Sequence, residues 1–357
     1  MDIEISTNID NLTDDSIEDN DNNDNNNDNN DNNNDNNDNN DNNDNNYNNH
    51  NNVYVYIDPM FKSKNDQQKT LSDIPIYKQN EGKKKKVLVM SGGGIKGLAH
   101  IGALQALYDN KCLDNIDTFA ATSVGALVIG MYIVGYSPME LWKFVTYFDI
   151  SKIKKIKVIN IITKYGLDTG ENIEKIVKKL INNKGFDENI SLLNLYNITK
   201  KKLIFTTVCL NTKSVCYLSH DTYPNLPLHQ AIRMSIFLPI YYTPVIYEGN
   251  YYVDGACMDN YPIQLFDDRL EDVIGIYLLE SKKKTNDINN FEECIYMIVQ
   301  CFMEGMKINE ISGYDKYTIK IVLDSISSVN YDISNELKSK MYKTGYDITT
   351  KYLKSHA

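Results

Sequence analysis

The chain reads as an α/β protein built on a mainly parallel sheet. Three observations carry that reading. An apolar run, Val87 to Met90, leads through a glycine turn into a helical repeat. A second unit of the same kind follows at Thr118 to Val134, and further strand-like runs downstream alternate with helical stretches. Strands that alternate with helices place the helices in crossovers and the strands parallel. No internal repeat is present.

Val87-Leu88-Val89-Met90 is short and β-branched enough to be a buried strand. Ser91 and three glycines end it. From Leu98 to Asp109 the apolar positions Leu98, Ile101, Leu104, Ala106 and Leu107 fall at helical spacing. Thr118 to Thr122 makes the next strand, Ser123 stands at the corner, and Val124 to Val134 makes an apolar helix. Beyond Pro138 helices are expected around Met139 to Phe148 and from Glu171 to Ile181, with strands at Leu203 to Leu210 and Val215 to Leu218. Pro227 to Phe237 reads as a helix with proline in its first turn, stopped by Pro239. Tyr241 to Tyr247 and Tyr251 to Val253 flank Glu248-Gly249-Asn250 as a hairpin. A strand at Val273 to Leu279, a helix at Phe291 to Ile311, a strand at Tyr317 to Leu323 and a C-terminal helix complete the order.

The charge is unevenly distributed. The first 52 residues carry 15 of the 48 acidic residues and no Lys or Arg, which leaves 33 acids against 37 bases in residues 53–357, a body near +4. Every residue from Asn20 to Asn46 is Asn or Asp, with no apolar side chain to offset the entropy of ordering. Residues 1–52 are therefore expected to be a disordered tail, followed by a polar connector over residues 53–86. The mildly basic body does not call for nucleic acid, and it is compatible with an anionic membrane surface.

The N-terminus lacks the basic and apolar regions of a secretion signal, so an intracellular protein is expected. The longest nearly apolar stretch, Ala126 to Tyr136, is well short of the ~20 residues that cross a bilayer. The six cysteines have no CxxC spacing and read as reduced thiols. The lysine-studded stretch Lys152 to Ile159 fits either a lipid-contacting segment or a buried element with a solvated face.

Three groups of residues could do chemistry. Gly92-Gly93-Gly94-Ile95-Lys96-Gly97 joins a strand to a helix, where uncovered N–H groups could cradle a phosphate, hold an oxyanion or simply turn the chain. A dinucleotide site would need an acid at the end of the next strand, and that strand ends in Ser123. Ala121-Thr122-Ser123-Val124-Gly125 has the G-x-S-x-G spacing of a nucleophile elbow with Ala121 in the first small position; Ser123 could equally cap the following helix. The five histidines are poorly placed to serve that serine. Val253-Asp254-Gly255-Ala256 ends an apolar strand in a carboxylate, which could act as a base or only begin a turn.

In this order the three groups resemble the patatin-like phospholipases. The likeness also takes in Ala231 to Ser235, Pro239 and Asn260-Tyr261-Pro262, and spans about Val87 to Phe266. It implies a three-layer α/β/α fold with a catalytic core over residues 87–267, completed by strands and helices over 268–357. It implies a Ser123–Asp254 dyad, with Ala121, Gly125, Gly255 and Ala256 shaping the elbow and the turn. An oxyanion loop of Gly92, Gly93, Gly94, Lys96 and Gly97 is implied as well. No metal or other cofactor is expected. The implied activity is hydrolysis of fatty-acyl esters of lipids, with peripheral contact to a lipid surface. The alternatives are an acyltransferase using the same dyad and an inactive lipid-binding module.

Overall fold

A computed structural model describes residues 85–148, 153–281, 288, 290–307, 311–323 and 333–356. The expected disordered tail and the connector up to residue 84 lie outside the described residues, as does Lys152.

The described chain alternates strands and helices: β1 Val87–Met90, α1 Gly97–Asp109, β2 Thr118–Thr122, α2 Val124–Ile133, α3 Pro138–Tyr147, α4 Ile159–Lys164, β3 Gly166–Asp168 and α5 Glu171–Asn183. There follow α6 Leu192–Thr199, β4 Lys202–Cys209, β5 Ser214–Leu218, α7 Leu228–Ile236, β6 Ile240–Tyr242, β7 Val245–Tyr247 and β8 Asn250–Asp254. A kinked 3-10 segment Pro262–Asp272, β9 Val273–Glu280, α8 Phe291–Lys307, β10 Thr318–Leu323 and α9 Asn335–Ser355 close the order. Among the described residues no helix is long and apolar enough to cross a membrane.

The main sheet runs β10-β9-β1-β2-β4-β8-β7, with β5 also on β4. Its five strands from β10 to β4 are mutually parallel; β5 and β8 join β4 antiparallel, and β7 joins β8 antiparallel. β1 lies between two parallel neighbours and all four of its residues are buried, which is why its sequence is continuously apolar rather than alternating. Leu88 and Met90 point into the larger core with the helices. Val87 and Val89 point to the opposite face, where Tyr261 and, from the 3-10 segment that follows it, Ile263 and Phe266 meet Tyr277. The sheet is thus covered on both faces, thickly by α-helices on one and thinly by the 3-10 segment on the other.

Local signals account for several boundaries. Ser137 and Glu140 form a reciprocal capping box with Pro138 in the first turn of α3. In α5 the buried residues Ile176, Val177 and Leu180 recur at helical spacing on one face. The stretch Tyr241 to Tyr247 does not form one strand. Pro244 has no N–H to donate, so the run divides into β6, which pairs with β3 in a separate two-stranded sheet, and β7, which makes the expected hairpin with β8. The helix expected over Phe291 to Ile311 is described over Phe291–Lys307, and Ile311 lies in a turn.

The register around β4 positions the site. β5 pairs with Phe205 to Cys209, β2 with Lys202 to Thr206, and β8 with Thr207 to Cys209. A strand has two edges. Since β5 overlaps both partners, β2 and β8 must share the other edge, end to end. β2 is parallel to β4 and β8 antiparallel, so their C-terminal ends face each other at neighbouring positions, Thr122 against Thr206 and Asp254 against Thr207. Ser123 is the next residue after β2.

Candidate active site

Ser123 Oγ donates to Asp254 Oδ2 at 2.7 Å, across 131 positions of sequence. Both residues are buried, Asp254 completely. The other carboxylate oxygen of Asp254 accepts the N–H of Ala256 at 2.8 Å, which fixes the plane of the group. The Ser123 side chain makes no capping bond to α2, so the helix-cap role is not what its hydroxyl performs. Its main chain starts that helix instead, through the Ser123 carbonyl and Ala126 N–H.

Ser123 holds φ 55° and ψ −129°, a conformation that L-residues seldom adopt. The sharp turn brings α2 down on β1. A Cβ on Gly125 would stand 2.8 Å from the Ser91 carbonyl oxygen, so only glycine fits. Gly255 is confined in the same way, its added Cβ falling 2.4 Å from the carbonyl oxygen of Thr206. Ala121 departs from the usual glycine without strain, because it lies within β2, paired with Met90 and Phe205, and does not have positive φ.

The glycine loop divides by function. The N–H of Gly92 donates to the Asn260 carbonyl, that of Lys96 to Gly93 and that of Gly97 back to Gly94 and Ile95. Gly92, Lys96 and Gly97 are therefore removed from the expected set of oxyanion donors, since their hydrogens are already committed. Among the described residues the N–H groups of Gly93 and Gly94 have no acceptor. Lys96 is not a solvated loop lysine: it is buried, and its ammonium meets Glu280 Oε2 at 2.6 Å at the end of β9.

Sequence reasoning missed several supports. The Ser123 N–H donates to Ser235 Oγ at 3.0 Å, and the single hydroxyl hydrogen of Thr207 is shared between the main-chain carbonyls of Met234 and Val253. Ser235 stood within the Ala231 to Ser235 stretch, which was the one available signal. Glu280, 184 positions from Lys96, left none.

The histidines are engaged elsewhere. His100 Nε2–H donates to the Ser91 carbonyl at 2.7 Å, and burial lowers its pKa to about 4. His229 stands 3.2 Å from Glu174, and burial lowers it to about 4 as well. His220 stacks on Tyr196. Beside the dyad, burial and then the charge of Asp254 push the Cys257 thiol up to about 12, so it stays protonated. Among the described residues no three His, Cys, Asp or Glu side chains gather as a metal site.

Ser123, Gly93, Gly94 and Lys96 open onto a cavity of about 260 Å³. Its wall is mostly aliphatic, from Leu98 on α1, Leu127, Val128 and Met131 on α2, and Ile176 and Leu180 on α5. A polar floor with a hydroxyl and two open N–H groups thus sits beneath an apolar chamber, with the Asp254 carboxylate buried behind the hydroxyl. That arrangement suits an ester joined to a hydrocarbon.

The family model described as patatin-like phospholipase matches residues 88–267. The chain is 30% identical over 273 residues to uncharacterized protein R571 of Acanthamoeba polyphaga mimivirus, covering 73% of this chain and 91% of that protein. It is 27% identical over 188 residues to probable lipid hydrolase 463L of Invertebrate iridescent virus 6, covering 50% of this chain and 62% of the relative. Among solved structures, VipD from Legionella pneumophila superposes with a TM-score of 0.51 at 18% identity, over 77% of this chain and 67% of that one. The likeness is one of fold.

Proposed function

The chain belongs to the patatin-like phospholipase family, and from that premise we propose that it hydrolyses fatty-acyl esters of lipids with Ser123 as nucleophile and Asp254 as its base. The observation that carries this reading is the 2.7 Å hydrogen bond from the Ser123 hydroxyl to the Asp254 carboxylate at the floor of an apolar cavity.

Ser123 Oγ attacks the acyl carbonyl carbon while its proton passes to Asp254 Oδ2. The carbonyl oxygen takes the negative charge and is held by the N–H groups of Gly93 and Gly94, each such donor being worth ~10²–10³ in rate in serine hydrolases. The tetrahedral adduct collapses, the ester C–O bond breaks, and Asp254 returns the proton to the departing alcohol. A water then repeats the cycle. It gives one proton to Asp254, attacks the acyl-serine, and frees the fatty acid as Ser123 regains its hydrogen. Asp254 is enclosed against Ser123 and fixed by the Ala256 N–H, so the carboxylate stays within reach of the hydroxyl through both halves of the cycle. The acyl chain lies along the aliphatic wall, and the Lys96–Glu280 pair keeps the glycine loop in place at the end of β9.

A fluorophosphonate lipid analogue tests this. The expected outcome is a single adduct on the tryptic peptide holding Ser123, absent in Ser123→Ala. An unlabelled Ser123 in folded protein, alongside no release of fatty acid from lipid esters, overturns the proposal.

A further inference from the structure

Between Asp149 and Asp168 the sequence carries five lysines and no acid. Within this stretch Ile153 and Ile156 pack inward against the core, and Ile153 and Lys154 form part of the cavity wall. The next turns face the other way. Val158 is 63% exposed, Ile159 60%, Ile162 78% and Tyr165 62%, and Lys155, Lys157 and Lys164 are exposed among them. Four large apolar side chains held in water over eight residues are costly unless something covers them.

The adjoining wall element repeats the pattern. Lys154 pairs with Glu292 in the first turn of α8 at 2.8 Å, tying the stretch to that helix. Tyr296 and Met303 on α8 face the cavity, whereas Phe291, Ile298 and Phe302, related by helical spacing on another side, are exposed. Two elements of one cavity wall therefore turn apolar residues outward as well as inward.

We propose that the exposed face of residues 155–165, with the outer side of α8 beside it, docks the protein on an anionic lipid bilayer. The apolar tips enter the acyl boundary and the lysines meet the head groups. The absence of acidic residues across the stretch selects an anionic surface over a neutral one. Its continuity with the cavity wall sets the lipid beside the chamber that holds Ser123. The proposal rests on the lipid-hydrolase reading for its purpose but not for its test, since docking and ester cleavage are measured separately.

The experiment uses the full chain with vesicles of phosphatidylcholine containing phosphatidylserine, and with a water-soluble short-chain ester. Wild type is expected to co-sediment with the anionic vesicles and less with pure phosphatidylcholine. Replacing Val158, Ile159 and Ile162 together by Ser should lower the partition coefficient at least tenfold. Lys157→Glu and Lys164→Glu should lower it roughly fivefold each, losing their effect in high salt. Phe302→Ser should weaken it less. All variants should hydrolyse the soluble ester within twofold of wild type. Wild type that ignores vesicles, or variants that bind like wild type, overturns the docking site. Loss of self-association by the Ser variant in sedimentation velocity, with vesicle binding unchanged, assigns the face to a second copy and also overturns it. Failure of wild type on every ester, with vesicle binding as expected, counts against the catalytic reading and leaves the docking site standing.

Discussion

The floor of the cavity and its wall are built under different constraints. On the floor, Gly125 lies against the Ser91 carbonyl and Gly255 against that of Thr206, so a single added methyl group would strike main chain. On the wall, Leu127, Val128, Met131 and Leu180 supply aliphatic volume from α2 and α5. Backbone contacts cannot be repacked, whereas side-chain contacts can be exchanged for others of similar size. The floor therefore leaves fixed residues at fixed spacing in the sequence, and the wall leaves only a helical repeat.

Four changes break or sharpen that contrast, in descending order of effect. Asp254→Asn removes the proposed proton acceptor and keeps the volume. It should cost ~10³-fold or more in kcat/KM on a lipid ester, with the far-UV circular dichroism unchanged. Gly125→Val leaves every reacting group in place but forces α2 away from β1. Displacing Ser123 in this way should cost ~10²-fold in kcat, and urea unfolding should register ~2 kcal/mol.

The third concerns the back of the floor, where His100 holds the Ser91 carbonyl. Burial keeps folded His100 and His229 neutral down to about pH 4, while the unfolded chain binds these protons near 6.5. As pH falls the unfolded chain is protonated first, so stability present above pH 6.5 is lost progressively towards pH 4. Between pH 7 and 5 each histidine should account for ~2 kcal/mol of the loss in urea unfolding, a factor of ~30 in the folding constant. In His100→Gln roughly half of that pH dependence should disappear. The smallest change is on the wall. Val128→Phe should leave short-chain esters within ~2-fold of wild type and lower turnover of long-chain esters several-fold, read from a chain-length series.

Legibility in the sequence follows the same division. The glycine loop, the Ser123 corner and Asp254-Gly255 are all readable because each needs particular residues where strands end and chains crowd. The buried parallel strands are readable because burial on both faces makes them continuously apolar. The elements not anticipated are α4, α6 and β3, which are short and set by neighbours far away in sequence. β3, for example, is three residues long and pairs with β6, more than 70 positions on. The pairing of Lys96 with Glu280 is silent for the same reason, and the commitment of the Gly92 N–H to Asn260 depends on a loop 168 positions away. In the Lys152 to Ile159 stretch the described isoleucines divide, Ile153 and Ile156 packing on the core and Ile159 facing outward, a split that a run of interleaved Lys and Ile does not announce.

β4 acts as a ruler. Because β2 and β8 abut along one of its edges, the spacing of hydroxyl and carboxylate is indexed by the single peptide step from Thr206 to Thr207. One residue inserted at that step would part the two groups by about 3.3 Å, a strand's rise per residue, and turn the next side chain to the opposite face. The same insertion in the bend between β4 and β5 would leave them where they are. The tolerance of this protein to length changes is thus decided on a strand that contributes no reacting atom.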